Sequence, residues 1–328
     1  MRPSFASLGP GCRGADPRRR AAPPARHGAP VTPRFSIVTP CLNRAATIGA
    51  AIESVLAQRH PSVEHIIVDG GSTDGTAEVL ARYPSLTVIR ESDRNLYDAI
   101  NKGLRAVRGE IVGLLNSDDL YAPGAFAAAE AALADPAAEM VLGAAEFFSE
   151  AGTLKRLSGG AVALAEANVI GGITTMNAAL YRRGLIERVG PFDDRFPLSA
   201  DKDFWMRLVL LRPTVAVTGA TIIRYRSHAG SLTFAAGDLR EKLSRHLLDT
   251  ARTRLAELTA GSAARAAYRR WHGWATGYRL LVQARRGDVA AAAATACGGF
   301  AADALWPARF LAFLPGHWRG RAARRGAV

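Results

Sequence analysis

A fully apolar strand runs directly into two carboxylates: Ile111-Val-Gly-Leu-Leu115 is followed by Asn116-Ser117-Asp118-Asp119. A run without polar alternation belongs to a strand covered on both faces, as in a parallel sheet. Two adjacent acids cannot stay in that interior, so they emerge at the carboxyl edge, where open α/β sheets bind ligands. Paired carboxylates there point to a hard divalent cation and, with it, to phosphate. A solvated Asp-Asp turn is the alternative.

The surrounding sequence repeats the pattern. Phe35-Ser-Ile-Val-Thr39, Glu64-His-Ile-Ile-Val-Asp69 and Leu86-Thr-Val-Ile89 read as strands, with helices expected over 45–58, through Val79 and Leu80, and over 96–107. Strands alternating with helices predict right-handed crossovers and a mainly parallel, Rossmann-like α/β sheet. The first, second and fourth strands end in Asn43, in Asp69 with Ser72 and Asp74, and in Asp118 with Asp119, so these groups share one crevice. Farther on the pattern is mixed: a strand over 140–144, a helix through 203–211, then two strands over 215–217 and 220–225. Beyond about 236 the chain is rich in Ala and Arg and reads as helical to its end.

Charge is unevenly placed. Residues 1–34 hold seven Arg and one Asp, residues 251–328 hold thirteen Arg and three acids, and the middle is close to neutral with 22 basic and 25 acidic residues. A near-neutral body argues against a nucleic-acid-binding core. Residues 1–33 lack periodicity and read as a disordered basic tail. They also lack the apolar stretch of a leader. Val289–Ala302 is the nearest approach to a spanning segment, but it is too short for a bilayer. Three widely spaced cysteines, Cys12, Cys41 and Cys297, form neither a metal spacing nor a disulfide framework. The expectation is therefore a cytoplasmic site.

The second loop lacks the GxGxxG spacing, and no GxxxxGK[ST] occurs, which disfavours dehydrogenases and phosphate-loop NTPases. A crevice lined by Asp suits base and ribose recognition, since a carboxylate accepts from ring N–H groups and hydroxyls, with phosphate neutralised through a metal.

Four segments then become specific together: Val38-Thr-Pro-Cys-Leu-Asn43, Val68-Asp-Gly-Gly-Ser-Thr-Asp-Gly75, Asp98-Ala-Ile-Asn-Lys-Gly103 and Leu115-Asn-Ser-Asp-Asp119. In order and spacing they resemble family 2 glycosyltransferases, in the branch that decorates bacterial polysaccharides and lipid-linked glycans. The likeness covers about 34–235 and leaves 236–328 as a helical extension. It implies a GT-A fold, a hexosyl transfer with inversion, a nucleotide-diphosphate sugar donor, a glycan or lipid-linked acceptor, and Mn²⁺ or Mg²⁺. By motif, Pro40, Asn43, Asp69, Ser72, Asp74, Lys102 and Asp118 would serve the donor, with Asp69 on the nucleobase and Asp118 on the ribose. Asp119 would hold the metal.

Inverting transfer needs a base for the acceptor hydroxyl. Ser199-Ala-Asp-Lys-Asp-Phe-Trp-Met-Arg207 opens a helix with acids, where its dipole favours their charge. The segment resembles the family's acidic motif, and Asp201 matches its catalytic base, against an N-cap alternative. Asp203 reads as structural or acceptor-facing, Trp205 as core, and Ala200 replaces the commoner Glu. Arg94, like Lys102, lies where it could steady a diphosphate. His228 occupies the place of a histidine often seen at the end of this fold, with metal or diphosphate contact as its role and a hydrogen-bonded loop histidine as the alternative. Gly171, Gly172, Thr174 and Thr175 lie where acceptor contacts are expected.

The Arg-rich end with Trp271, Trp274, Trp306, Phe310, Phe313 and Trp318 either packs on the domain or meets an anionic membrane surface from the cytoplasmic side. Two rivals stand beside the transferase. A sugar nucleotidyltransferase would need a Gly-rich, Arg/Lys-bearing signature that Pro40-Cys-Leu-Asn43 does not supply. A basic-tailed protein binding anionic surfaces or nucleic acid around an inactive core would lose binding on removal of both tails.

Overall fold

The computed structural model describes residues 34–149, 151–158, 164–171, 176–227 and 238–313. The tail over 1–33, His228, Gly172, Thr174, Thr175 and Trp318 lie outside them.

Nine strands form one sheet in the order β3-β2-β1-β4-β8-β6-β9-β5, with β7 paired to β6. Its first half is parallel: β1 (Phe35–Cys41) lies between β2 (Val63–Asp69) and β4 (Ile111–Leu114), and β3 (Thr87–Arg90) is the edge. Every residue of β1 and β4 is buried, which explains their unbroken apolar character. Each Ile or Leu so buried contributes about 1.5–3 kcal/mol. Helices α1 (Ile48–Leu56), α2 (Thr76–Leu80) and α3 (Leu96–Ala106) make the crossovers. Gly103 lets α3 approach β1, because a Cβ there would run into Val38.

Past β4 the pairing changes. β8 (Ala179–Arg182) is antiparallel to β4, and β6 (Met140–Ser149) is antiparallel to β8. The strand expected over 140–144 is thus twice that length, and it turns back as β7 (Gly152–Leu157). β5 (Leu120–Tyr121) closes the sheet against β9 (Val215–Arg226). The two strands read at 215–217 and 220–225 are one, β9. Its register against β6 jumps from Leu142↔Val217 to Ala144↔Thr221, so residues 218–220 bulge out and mimic a break in the sequence pattern.

Helices α4 (Ala125–Ala132), α5 (Glu166–Gly171) and α6 (Arg183–Val189) fill the flanks, and α7 (Ala200–Leu211) carries the second acidic motif. Over residues 238–313 the C-terminal region is helical as expected: α8 (Asp238–Glu257), α9 (Ala263–Arg285), α10 (Val289–Ala302) and a last described helix, Trp306–Phe313. α8 and α9 do not stand apart. Leu247, Leu248, Ala251, Tyr268 and Trp271 join Phe204, Trp205 and Leu208 of α7 in one apolar cluster. Trp205 is core, at 1% exposure. Trp271 and Trp306 are buried too, so they form no outward belt.

Candidate active site

The donor-side residues meet where β1 and β2 end. Pro40 is buried inside β1 opposite Val68. A proline fits there because the ladder alternates: Leu115 N–H bonds the Val38 carbonyl, and the donor that Pro40 lacks would face β4, which has already ended. Asp69 closes β2 at 1% exposure. Its Oδ1 accepts from Ser72 N (2.9 Å) and Ser72 Oγ (2.5 Å). Among the described residues its Oδ2 accepts no hydrogen bond, and Arg90 Nε lies 3.4 Å away. Asp69 and Arg90 line a groove of about 320 Å³ walled by Leu80, Tyr83, Pro84 and Val88. A buried carboxylate oxygen left open beside an apolar wall is a specific demand for an N–H or O–H donor.

Asn43, Ser72 and Asp74 mainly tie the β1 loop to the β2 loop. Asn43 N donates to Ser72 Oγ (2.8 Å), Thr73 N donates to Asn43 Oδ1 (2.9 Å), and Ala45 N donates to Asp74 Oδ2 (3.0 Å). Asn43 takes a positive φ of 53°, which Asn tolerates better than most residues. Hydrogen bonds from Thr76 and Ala45 hold the Asp74 carboxyl below its usual range. Lys102 Nζ is taken by Ser92 O (2.6 Å) and Asp93 Oδ1 (2.7 Å), with Glu91 at 3.3 Å. The charge expected for a diphosphate therefore first fixes the loop after β3. Arg94 is exposed and pairs with Asp98 and Asp194.

Asp118 and Asp119 separate by depth. Asp118 is half-buried, while Asp119 is 1% exposed. Asp119 Oδ1 accepts from Arg226 N and Oδ2 from Asn116 Nδ2, both at 2.9 Å. Burial first, and the Asp118 charge second, push its carboxyl up to about 7. A cation beside a buried carboxyl raised in this way would stabilise its ionised form. Two adjacent carboxylates suit Mg²⁺ or Mn²⁺ that takes its other ligands from phosphate oxygens and water. Among the described residues no group of three acids, histidines or cysteines could cage an ion alone. The donor set fits an ion shared with a diphosphate.

Asp201 lies in the first turn of α7, half-buried. Burial raises its carboxyl above the usual range, opposed by the Lys202 N–H (2.8 Å), the Lys202 charge and the Tyr97 hydroxyl. A raised carboxyl is what a general base needs. Lys202 is itself lowered to about 8 by burial; its ammonium bonds the Ile170 carbonyl at 3.0 Å and sits 4.3 Å from the Trp274 ring centre. Asp203 faces away from solvent at 0% exposure, held by Arg207 (3.0 Å), Arg254 (2.7 Å) and the Tyr268 hydroxyl (2.6 Å). Of the two readings for Asp203, it takes the structural one.

Two tyrosines missed in the sequence join the acidic clusters. Tyr225, on β9, feels Asp119, Asp201 and Asp118, and these charges add to burial in raising its hydroxyl. Asn116 Nδ2 lies 3.4 Å from that oxygen. Tyr97 bonds Asp201 and is oriented by its helix cap, Asn95, whose Oδ1 accepts from Tyr97 N at 3.0 Å. Asp119, Tyr225, Asp201 and Tyr97 are thus electrostatically one site. Tyr225 stands three residues before His228 in a segment already singled out, and that was the available signal.

Comparisons with known proteins bear on this geometry. The model of the family described as "Glycosyl transferase family 2" matches residues 36–190. A PGL/p-HBAD biosynthesis glycosyltransferase of Mycobacterium bovis is 31% identical over 188 residues, 53% of this chain and 69% of that one. The mannosyltransferase PcManGT of Pyrobaculum calidifontis, solved with GDP-Man and Mn²⁺, superposes with a TM-score of 0.55 at 24% identity, covering 87% of this chain and 86% of that one. S. aureus TarS 1–349, solved with UDP-GlcNAc, gives 0.55 at 18%, covering 75% and 72%; a longer TarS chain is covered over 42% of its length. The two superpositions share the GT-A fold expected from the motifs. With a relative this similar over two thirds of its own length and the family's motifs gathered at one sheet edge, the chain belongs to glycosyltransferase family 2.

Proposed function

We propose that this protein is an inverting hexosyltransferase that moves a sugar from a nucleotide-diphosphate donor to a glycan or lipid-linked acceptor. The observation that carries the reading is the joint site: Asn116 contacts both Asp119 (2.9 Å) and the Tyr225 hydroxyl (3.4 Å), and that hydroxyl lies within electrostatic reach of Asp118, Asp119 and Asp201. The nucleobase enters the groove beside Asp69 and gives an N–H to the open Oδ2, with Arg90 alongside. Asp118 faces the ribose. Asp119, with Asp118 beside it, would hold Mn²⁺ or Mg²⁺, which would neutralise charge on the diphosphate. Asp201 takes the proton from the acceptor hydroxyl as that oxygen bonds the anomeric carbon and the bond to the diphosphate breaks. Tyr97 holds the Asp201 carboxylate, and the Lys202 ammonium beside it favours the ionised form. The sugar nucleotides bound by PcManGT and TarS support this donor class.

The basic C-terminal region brings the enzyme to an anionic membrane at its cytoplasmic face, where a lipid-linked acceptor is available.

The test is Asp201→Asn assayed against a panel of UDP-, GDP- and dTDP-sugars with Mn²⁺. Transfer should fall by about 10²–10⁴, while Mn²⁺-dependent nucleotide binding stays at the wild-type level. Normal turnover by this variant would remove the mechanism. If no donor in the panel gives binding or turnover with the wild-type protein, the donor assignment fails.

A further inference from the structure

Helix α10 is inside out for a soluble surface helix. It carries no charged residue, and its buried positions are Thr295 and Gly299. Its outward face runs through Val289 (76% exposed), Ala293, Cys297 and Phe300 (53%). A helix packing on a soluble core turns its large apolar side chains inward. Here the small ones face in. Gly299 lies so close to Thr276 and Trp306 that a Cβ would stand 2.8 Å from each, and Gly277 receives Phe310. The packing needs the glycines, and among the described residues it leaves the apolar face unpartnered.

That face continues around a sharp bend. The helix Trp306–Phe313 leaves α10 at 106°; the turn between them exposes Leu305 (61%) and the helix itself exposes Leu311 (59%). No single described helix is long and apolar enough to cross a membrane. Fourteen residues of α-helix reach about 21 Å, short of a hydrocarbon core of about 30 Å. A bent, largely apolar hairpin of that size, whose two charged residues Asp303 and Arg309 pair with each other, lies in an interface rather than through it.

Beside the hairpin lies the complementary charge. Arg245, Arg252 and Arg279 line a groove of about 340 Å³ against Ala291, Ala294 and Thr295 of α10. Arg245 and Arg279 share Glu241, whereas Arg252 has no hydrogen bond or ion pair among the described residues. Arg285 and Arg286 are exposed at the end of α9. Nearby acids offset part of this charge: Asp238 pairs with Arg286, Glu241 with Arg245 and Arg279, Asp303 with Arg309, and Asp249 enters the groove. Of these arginines, that leaves Arg252 and Arg285 without an ion pair among the described residues. A shared apolar and cationic surface fits acyl chains under anionic headgroups.

We infer that α10 and the last helix form a membrane-docking surface. The apolar face of Val289, Phe300, Leu305 and Leu311 enters the acyl boundary, and the arginine groove receives the phosphate of an anionic lipid. This rests on the membrane contact proposed above and assigns it to this hairpin instead of the tryptophans.

Flotation of the full chain with phosphatidylglycerol/phosphatidylcholine vesicles tests it, against phosphatidylcholine alone. The wild type should float with the anionic vesicles, and Phe300→Asp/Leu305→Asp should lower its partition coefficient about tenfold or more. Arg252→Glu should weaken binding to anionic vesicles only. A milder pair, Phe300→Gln/Leu305→Gln, serves where the first does not fold, as judged by thermal unfolding. Donor hydrolysis in solution should be unchanged in all variants, so loss of docking and failure of the catalytic reading are separate results. Equal flotation by wild type and variants overturns the proposal, as does failure of the wild type to float. So does a concentration-dependent dimer abolished by the same substitutions, which would make a second copy the occupant.

Discussion

Around Asp69 the hydrogen-bond donors come from its own loop, three residues away, whereas Asp203, two residues past Asp201, is held by side chains 51 and 65 residues farther along the chain. The donor half of the site is braced by backbone N–H groups and hydroxyls within and between two neighbouring loops. The helix that carries Asp201 is braced by one guanidinium group and a phenol from the C-terminal extension, Arg254 and Tyr268. The donor half is therefore a local structure that the sheet edge alone specifies. Asp201, the base proposed above, sits on a helix packed against a second layer of helices, which under that proposal makes α8 and α9 part of the catalytic geometry rather than a passenger.

The largest effect separates the two halves by chemistry. Asp119→Ala and Asp201→Ala should each lower transfer by about 10² or more, but only Asp119→Ala should weaken Mn²⁺-dependent nucleotide binding, read by calorimetry. Equal losses of nucleotide binding would merge the halves and break the comparison. The next effect separates them by stability. Arg254→Leu strips a buried carboxylate of its main cation and should cost about 3–5 kcal/mol in denaturant unfolding. A cost under about 1 kcal/mol would show that Arg207 and Tyr268 hold Asp203 unaided.

The same contrast explains what the sequence made legible. The parallel half was readable because both faces of β1 and β4 are buried and each loop carries its own polar brace. The antiparallel half was less so: β9 looked like two strands because residues 218–220 bulge from the ladder. Asp69, Asp118, Asp119 and Asp201 could be named from motif spacing. Tyr97 and Tyr225 could not, since each acquires its role from a carboxylate on another element. Lys102 looked free because its partners lie in a loop without periodicity.

Two buried histidines sharpen the comparison through pH. His65 on β2 is pushed down to about 3, and His272 on α9 to about 4, both chiefly by burial. Between those values and 6.5 the unfolded chain binds protons that the folded chain refuses, so stability present at neutral pH is lost as pH falls. Each should remove about 3 kcal/mol by pH 4. Replacing His272 by Gln should flatten part of the acid limb of an unfolding-versus-pH curve. An unchanged limb would mean that His272 reaches solvent.

The smallest effect is expected in the donor half. Ser72→Ala removes an oxygen that donates to Asp69 Oδ1 and accepts from Asn43 N, yet Ser72 N still bonds that carboxylate. The stability cost should be about 1 kcal/mol. Because Asp69 loses one of two restraints without losing its charge, donor KM should rise more than kcat falls. The converse pattern, a fall in kcat at unchanged KM, would place Ser72 in contact with the reacting sugar. It would also mean that the β1 and β2 loops serve the chemistry as well as the nucleotide.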